Sequence, residues 1–154
     1  MAAADPAAPL PRVGVAIVSW NVRDLVLRCL ETVFASRGVA VEVVLVDNAS
    51  ADGTVEAVRA AFPQVSLIAN RDNRGFGSAN NQALGVLGSD APWVLLLNPD
   101  TEVDPDAIAT MAGVLAGDPG VAVVGPRLRY GDGTVQPSRF RFPTPWTMVC
   151  ESTP

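Results

Sequence analysis

The strongest constraint on the fold is an alternation of short, β-rich apolar runs with segments of helical periodicity. Apolar runs that are followed by helices are typical of buried parallel strands joined by right-handed crossovers. We therefore predict an α/β fold, with a doubly wound, mostly parallel sheet and helices on both faces. The predicted strands span residues 13–19, 41–46, 65–69, 93–97 and 121–124.

Helices are predicted between these strands. An amphipathic helix begins after Asn21, and further helices span residues 54–62 and 78–87. Another begins at Asp104 and Pro105, because proline suits the first helical position. Beyond the last strand, the sequence Tyr-Gly-Asp-Gly-Thr at residues 130–134 predicts a hairpin turn.

Length and composition favour one folded domain. The chain has 154 residues, of which 49% are hydrophobic and 18% charged, so it can bury a core and is too apolar for extended disorder. We expect a disordered Ala- and Pro-rich tail over residues 1–12 and a folded domain over residues 13–143. The apolar runs are shorter than the roughly 20 residues of a membrane helix. Cys29 and Cys150 form no CxxC motif, which favours reduced thiols and a cytoplasmic location.

Charge and residue types exclude several classes of site. The net charge of -5 argues against nucleic-acid binding over the whole surface. All 11 basic residues are arginine, and the chain has neither lysine nor histidine. Schiff-base lysines, P-loops, Ser-His-Asp triads and histidine-based zinc sites are therefore excluded. Chemistry based on oxygen ligands remains.

Polar side chains follow four of the predicted strands, at residues 19–21, 47–52, 70–77 and 98–101. The carboxyl ends of parallel strands meet at one edge of a doubly wound sheet, where such folds bind their ligands. The sequence therefore predicts a small-molecule site at that edge.

Asp100 comes directly after the strand at residues 93–97, in the sequence Asn-Pro-Asp-Thr. A carboxylate in this position suits Mg²⁺ or Mn²⁺, held jointly with the phosphates of a nucleotide. The alternative is that Asp100 only caps a turn. The residues alone leave both interpretations open.

Asp47 ends the second predicted strand. An acidic residue in this position can accept a hydrogen bond from a nucleobase N–H or a ribose hydroxyl. Ser50 and Asp52 precede the helix that begins at Thr54, and we interpret both as capping residues.

Residues 73–81 (NRGFGSANN) join glycines to a helix N-terminus, whose free N–H groups favour a diphosphate. Arg74 can add a charge-assisted hydrogen bond. The segment is a poor dinucleotide fingerprint, because it lacks the third glycine and follows the third strand. Alternatively, Gly75 and Gly77 serve only tight turns.

The segment from Gly125 onwards interleaves arginines with aromatic residues. It suits an acceptor diphosphate or a peripheral contact with an anionic membrane surface, and equally a solvated hairpin with incidental charges. Its members are Arg127, Arg129, Tyr130, Arg139, Phe140, Arg141, Phe142 and Trp146.

Four motifs in order, VAIVSWN, VVLVDNASADGT, NRGFGSANNQAL and VLLLNPDT, resemble those of the family 2 glycosyltransferases. Within that family the chain is similar to the rhamnosyltransferase-like branch, which builds bacterial cell-surface polysaccharides. The resemblance covers residues 13–143, including QPSR at 136–139. It implies a GT-A fold and inverting transfer of a sugar, such as rhamnose, from a dTDP or UDP donor with Mg²⁺ or Mn²⁺. The acceptor would be a saccharide or a lipid-linked molecule, at the inner face of the membrane.

The resemblance also implies site residues. Asp100 would stand where the family has its metal-binding aspartate, and Asn98 takes the first position of that DxD-type motif, which leaves one carboxylate. The donor would lie against Ser19, Asn21, Asp47, Asn73, Gly75, Phe76 and Asn81, with Arg74 beside them.

An inverting transfer needs a carboxylate that takes the proton of the attacking hydroxyl. The family supplies this base from a segment well beyond the metal motif, which implies a base beyond Pro154 and makes residues 144–154 the start of a truncated acceptor-side segment. Glu151 is a poor substitute, because nothing fixes it near the pocket. We expect a truncated chain or a partner polypeptide. A nucleotide-sugar-binding module without turnover is the alternative, and the lack of lysine disfavours a phosphorelay receiver domain.

Overall fold

The computed structural model of the chain describes residues 10–88 and 91–138. The chain divides after Val124 into two compact units, which are considered separately. The predictions that concern residues 1–9, the arginines and aromatic residues from 139 onwards, and the segment 144–154 lie outside the described residues.

The first unit is built on a four-stranded parallel sheet in the order β3-β2-β1-β4. Its strands are β1 (Arg12–Ser19), β2 (Ala40–Asp47), β3 (Ser66–Ala69) and β4 (Trp93–Leu97). The predicted parallel sheet is confirmed. The first strand begins at Arg12, one residue inside the expected tail, because Arg12 pairs with Ala40.

Helices cover both faces of this sheet: α1 (Arg23–Phe34), α2 (Thr54–Ala61), α3 (Phe76–Leu87) and α4 (Ala107–Gly117). One core joins the odd-numbered positions of β1 to α1, α2 and α4, and the other joins the even-numbered positions to α3. Each fully buried valine, leucine or isoleucine in these cores contributes about 1.5–3 kcal/mol. Helix α3 lies so close to β1 that a Cβ at Gly14 would be 2.9 Å from a methyl carbon of Leu87.

The predicted strand at residues 121–124 is wrong. These residues have no regular structure, and Val123 is 86% exposed. The segment is flanked by Pro-Gly and Gly-Pro, and none of its residues pairs with a strand in the described part of the chain. These four apolar residues therefore lack the neighbouring strand that a short strand requires.

The predicted position of Pro105 at the start of a helix is also wrong, since α4 begins at Ala107. The backbone before it is held in a turn, because the amide of Arg37 donates to the Pro105 carbonyl at 2.7 Å. The Arg37 guanidinium binds the Asp106 carboxylate at 3.0 and 2.8 Å. That carboxylate makes no side-chain cap of α4.

The second unit contains the predicted hairpin, which is confirmed. Strands β5 (Leu128–Arg129) and β6 (Val135–Gln136) pair antiparallel. In the turn, Asp132 accepts hydrogen bonds from the hydroxyl and the amide of Thr134, at 2.7 and 2.8 Å. These bonds lower the pKa of Asp132, the hydroxyl contributing most.

None of the helices in the described part of the chain is long and apolar enough to cross a membrane.

Candidate functional site

The site lies at the carboxyl edge of the parallel sheet. Strand β1 ends at Ser19 and β2 ends at Asp47, and these two residues are paired in the sheet register. Asp47 is in turn paired with Ala69 at the end of β3. Strand β4, which leads to Asp100, lies on the other side of β1. With about 4.8 Å between neighbouring strands, the loops after β2 and β4 begin roughly 10 Å apart.

Ser19 and Asp47 are both buried, with 0% and 1% exposure. Within the described residues, Ser19 Oγ and Asp47 Oδ1 are buried without a hydrogen-bond partner. The other carboxylate oxygen, Oδ2, accepts from the Ser50 amide at 2.8 Å. Leaving a buried polar atom unpaired costs about 1–3 kcal/mol, so two such atoms side by side indicate a place where a ligand's polar groups complete the bonding.

Asn21 joins the loops that follow β1 and β2. Its backbone amide donates to Ser50 Oγ at 2.8 Å, and its side-chain Oδ1 accepts from the backbone amide of Ala51 at 2.8 Å. Asn21 and Ala49 both have left-handed backbone angles, with φ of 53° and 64°. This conformation costs an alanine about 1–2 kcal/mol, so the two loops hold each other in a strained arrangement.

Asp52 has the predicted structural role at the start of α2, and it also contacts the start of α1. It accepts from the Thr54 hydroxyl at 2.6 Å and from the Thr54 amide at 3.1 Å. Its second oxygen accepts from the Arg23 amide at 2.9 Å, so one carboxylate connects the N-termini of α1 and α2. The Thr54 hydroxyl and these amides lower the pKa of Asp52. Ser50, in contrast, accepts a hydrogen bond from the backbone amide of Asn21 and does not cap α2, whose N-cap residue is Gly53.

An amide network that sequence reasoning missed supports the glycine-containing loop. Asn48, which is 2% exposed, donates to the Gly75 carbonyl at 3.3 Å. Asn70 donates to Asn48 Oδ1 at 2.9 Å and exchanges two hydrogen bonds with Gln82, at 2.9 and 3.1 Å. The sequence signal that could have indicated this network is Asn48, an amide side chain placed between a buried strand and a turn. The network fixes the N-terminus of α3 beside the end of β2.

The loop before α3 contains most of the predicted diphosphate-side residues. Asn73 Oδ1 accepts from the Gly75 amide at 2.9 Å, and Gly75 takes a φ of 76°. Phe76 is 59% exposed, and Asn81 is also exposed. Arg74 is exposed beside Asp72, with 3.8 Å between Nε and Oδ1. The first turn of α3 carries no acidic residue, so its free N–H groups present a partial positive charge to solvent.

Asp100 lies exposed in a turn that closes with a 3.3 Å hydrogen bond from the Thr101 amide to the Asn98 carbonyl. In the described residues, no group of three or more His, Cys, Asp or Glu side chains could hold a metal ion. One exposed carboxylate beside an amide fits a hard cation that keeps waters and phosphate oxygens as its other ligands, as Mg²⁺ commonly does. The residues present therefore fit a cation that arrives with a diphosphate.

The structure thus brings Ser19, Asn21 and Asp47 together and connects them, through Asn48, to the loop at Gly75. This edge offers buried oxygen acceptors at one end and backbone N–H groups at the other. Such an arrangement suits a molecule with a polar cyclic head and an anionic extension.

Two curated relatives match about two thirds or more of the chain. The chain is 34% identical over 128 residues to the N-acetylglucosaminyl-diphospho-decaprenol L-rhamnosyltransferase of Mycobacterium tuberculosis, covering 75% of this chain and 42% of that protein. It is 39% identical over 103 residues to the succinoglycan biosynthesis protein ExoO of Rhizobium meliloti, covering 66% and 29%. The chain thus spans less than half the length of these relatives.

Two solved structures have a fold similar to that of this chain. The mannosyltransferase PcManGT from Pyrobaculum calidifontis, in complex with GDP-Man and Mn²⁺, superposes with a TM-score of 0.64 and 31% identity, over 77% of this chain and 36% of that one. S. aureus TarS 1-349 in complex with UDP gives a TM-score of 0.61 over 69% and 32% of the two chains, and at 19% identity it supports the fold alone.

These superpositions and the parallel sheet confirm the predicted GT-A fold. Residues 14–152 match the profile of the family described as Glycosyl transferase family 2. The chain belongs to glycosyl transferase family 2.

Proposed function

We propose that this chain is the donor-binding part of an inverting glycosyltransferase. Its donor is a sugar, rhamnose in the favoured case, on a dTDP or UDP carrier, and its acceptor is a cell-surface saccharide or a lipid-linked molecule. The observation that carries the proposal is the pair of buried, unpartnered oxygens, Ser19 Oγ and Asp47 Oδ1. Family membership and the rhamnosyltransferase relative support the reaction class and the sugar.

Asp47 binds the nucleoside in this proposal. Its Oδ2 is already engaged by the Ser50 amide, which fixes the carboxylate and leaves Oδ1 for an N–H of the base or a ribose hydroxyl. Ser19 Oγ, on the paired residue of β1, can donate or accept beside it. Asn21 contributes mainly by holding both loops in place.

The diphosphate lies at the N-terminus of α3. Its free amides and the Arg74 guanidinium supply positive potential there. Phe76, the first residue of this helix, and Asn81, in its second turn, are both exposed and border the sugar. The amide network through Asn48 and Gln82 sets the distance between the nucleoside and diphosphate ends.

Asp100, with Asn98 beside it, holds a divalent cation together with the diphosphate. PcManGT was solved with Mn²⁺, which supports the choice of Mg²⁺ or Mn²⁺. When bound, such a cation neutralises the charge that develops on the leaving diphosphate. The two ends of the site then have separate roles, with Asp47 recognising the nucleoside and Asp100 serving the leaving group.

The general base is assigned to none of the described residues. We propose that it comes from the part of the enzyme that corresponds to the remaining length of the relatives, since the chain spans 42% of the rhamnosyltransferase. We further propose a cytoplasmic location with a peripheral membrane contact, because the name of that relative specifies a decaprenol-linked molecule. The exposed Arg127 and Arg129 of the hairpin unit suit an anionic surface.

Calorimetric titration of the full chain with dTDP and UDP, with and without Mn²⁺, tests the proposal. We expect binding of at least one nucleotide, tighter with Mn²⁺, and its loss in Asp47→Ala. Asp24→Ala, which removes an exposed carboxylate of α1, is the matched control and should bind normally. Absence of binding by the wild-type chain, or equal binding by Asp47→Ala, would overturn the proposal. Binding without turnover of a dTDP-sugar would identify a binding module.

A further inference from the structure

The segment between β4 and α4, which carries Asp100, is attached to one face of helix α1. Cys29 and Thr32 lie three positions apart on that helix and so project from the same side. Each makes a hydrogen bond to the backbone of this segment, whose contacted residues are 69 and 71 positions further along the chain. The loop with the candidate metal ligand is therefore held by a helix that contains none of the predicted site residues.

Cys29 contacts the first residue of the turn that contains Asp100. Its thiol donates to the Asn98 carbonyl oxygen, with 3.7 Å between the sulfur and the oxygen. This contact is partly buried, and it attaches the start of the turn to α1.

Thr32 fixes the chain just beyond this turn. The Val103 amide donates to Thr32 Oγ1 at 3.0 Å, and the same hydroxyl donates to the Cys29 carbonyl at 2.9 Å. Both bonds are partly buried. The nearby ion pair of Arg28 with Glu102 is exposed and screened by solvent, so it contributes little to the attachment.

We propose that Cys29 and Thr32 are positioning residues for the metal-binding end of the site. They hold the turn at residues 98–101 in the conformation that presents Asp100 at the sheet edge. The inference rests on the proposed function, because Asp100 is the cation ligand in that proposal. The inference goes beyond the proposed function by assigning a role in cation binding to α1, a helix that lies on one face of the sheet.

The test compares Thr32→Val, which keeps the shape but removes the hydroxyl, with Thr32→Ser, which restores it. Amide hydrogen exchange of residues 101–103 reports the attachment, and titration with UDP and dTDP with and without Mn²⁺ reports its consequence. Thr110→Val is the control, since Thr110 donates only to the Asp106 carbonyl at the start of its own helix. Cys29→Ala and Cys29→Ser form a second pair for the other contact.

In Thr32→Val we expect exchange of the Val103 amide to speed up about three- to tenfold, and the Mn²⁺-dependent gain in nucleotide affinity to fall by a similar factor. Affinity without Mn²⁺ should stay at the wild-type value, and Thr32→Ser should restore both quantities. Unchanged exchange at residues 101–103, or an unchanged Mn²⁺ gain, would overturn the inference. A wild-type chain that binds no nucleotide would instead overturn the proposed function, and the exchange data would still show whether Thr32 holds the loop.

Discussion

Ser19 and Asp47 face each other across neighbouring parallel strands as register partners, and each has a buried oxygen without a partner within the described residues. A sheet edge with two such atoms is unfavourable for the free protein. It becomes favourable when a ligand supplies the missing donors and acceptors. The relationship connects the fold to nucleotide binding, and its energetic cost can be measured.

Ser19→Ala should leave the free chain as stable as the wild type, or stabilise it by up to about 1 kcal/mol, because it removes an unpaired buried hydroxyl. Chemical denaturation without nucleotide measures this difference. Nucleotide affinity of the same variant should fall. A loss of stability above roughly 2 kcal/mol would mean that the hydroxyl already has a partner in the free protein.

Ala49→Gly should stabilise the chain by roughly 0.5–1 kcal/mol. The φ of 64° at Ala49 strains an alanine but not a glycine, and this gain exceeds the extra flexibility of glycine in the unfolded chain. Thermal or urea denaturation measures the change. Ala60→Gly, at an exposed helical position of α2, is the control and should destabilise by about 1 kcal/mol. Equal destabilisation by both substitutions would contradict the strained loop.

Asp52→Asn should flatten the dependence of stability on acid pH. The folded-state pKa of Asp52 is lowered from the ordinary 3.8, first by the Thr54 hydroxyl and then by the backbone amides. Its stabilisation is therefore complete above the unfolded-state pKa and is lost as the pH falls through the lower folded-state pKa. Urea denaturation should show the wild type more stable than the variant at pH 6, with a smaller difference at pH 3. A difference that is constant over this range would contradict the assignment.

The four paired strands and the four helices follow from local patterns, because short apolar, β-rich runs and segments of helical periodicity can be seen directly in the sequence. Residues 121–124 look like a strand in the same terms. Whether they form one depends on a neighbouring strand, and that neighbour is not a local property. The predicted helix start at Asp104 and Pro105 is wrong for a similar reason. Arg37, which is far away in sequence, holds Pro105 and Asp106 in a turn before the helix begins at Ala107.

For the site, the sequence predicted which side chains follow each strand but not which of them bond to one another. Asp47 could be identified as an acid at a strand end. The network of Asn48, Asn70 and Gln82 depends on three separate segments meeting, and no spacing rule reveals it. The contacts of Cys29 and Thr32 with the Asp100 loop are equally non-local.

The most direct test of the central claim, that the free oxygen of Asp47 accepts a hydrogen bond from an N–H of the nucleobase, compares UDP with CDP. Uracil presents an N–H at the ring position where cytosine presents an acceptor, so a carboxylate should favour UDP by about 10- to 100-fold. In Asp47→Asn, calorimetry should show weaker UDP binding and most of this preference lost, because the amide can also donate. Equal affinity of the wild-type chain for UDP and CDP, or an unchanged preference in Asp47→Asn, would contradict the account.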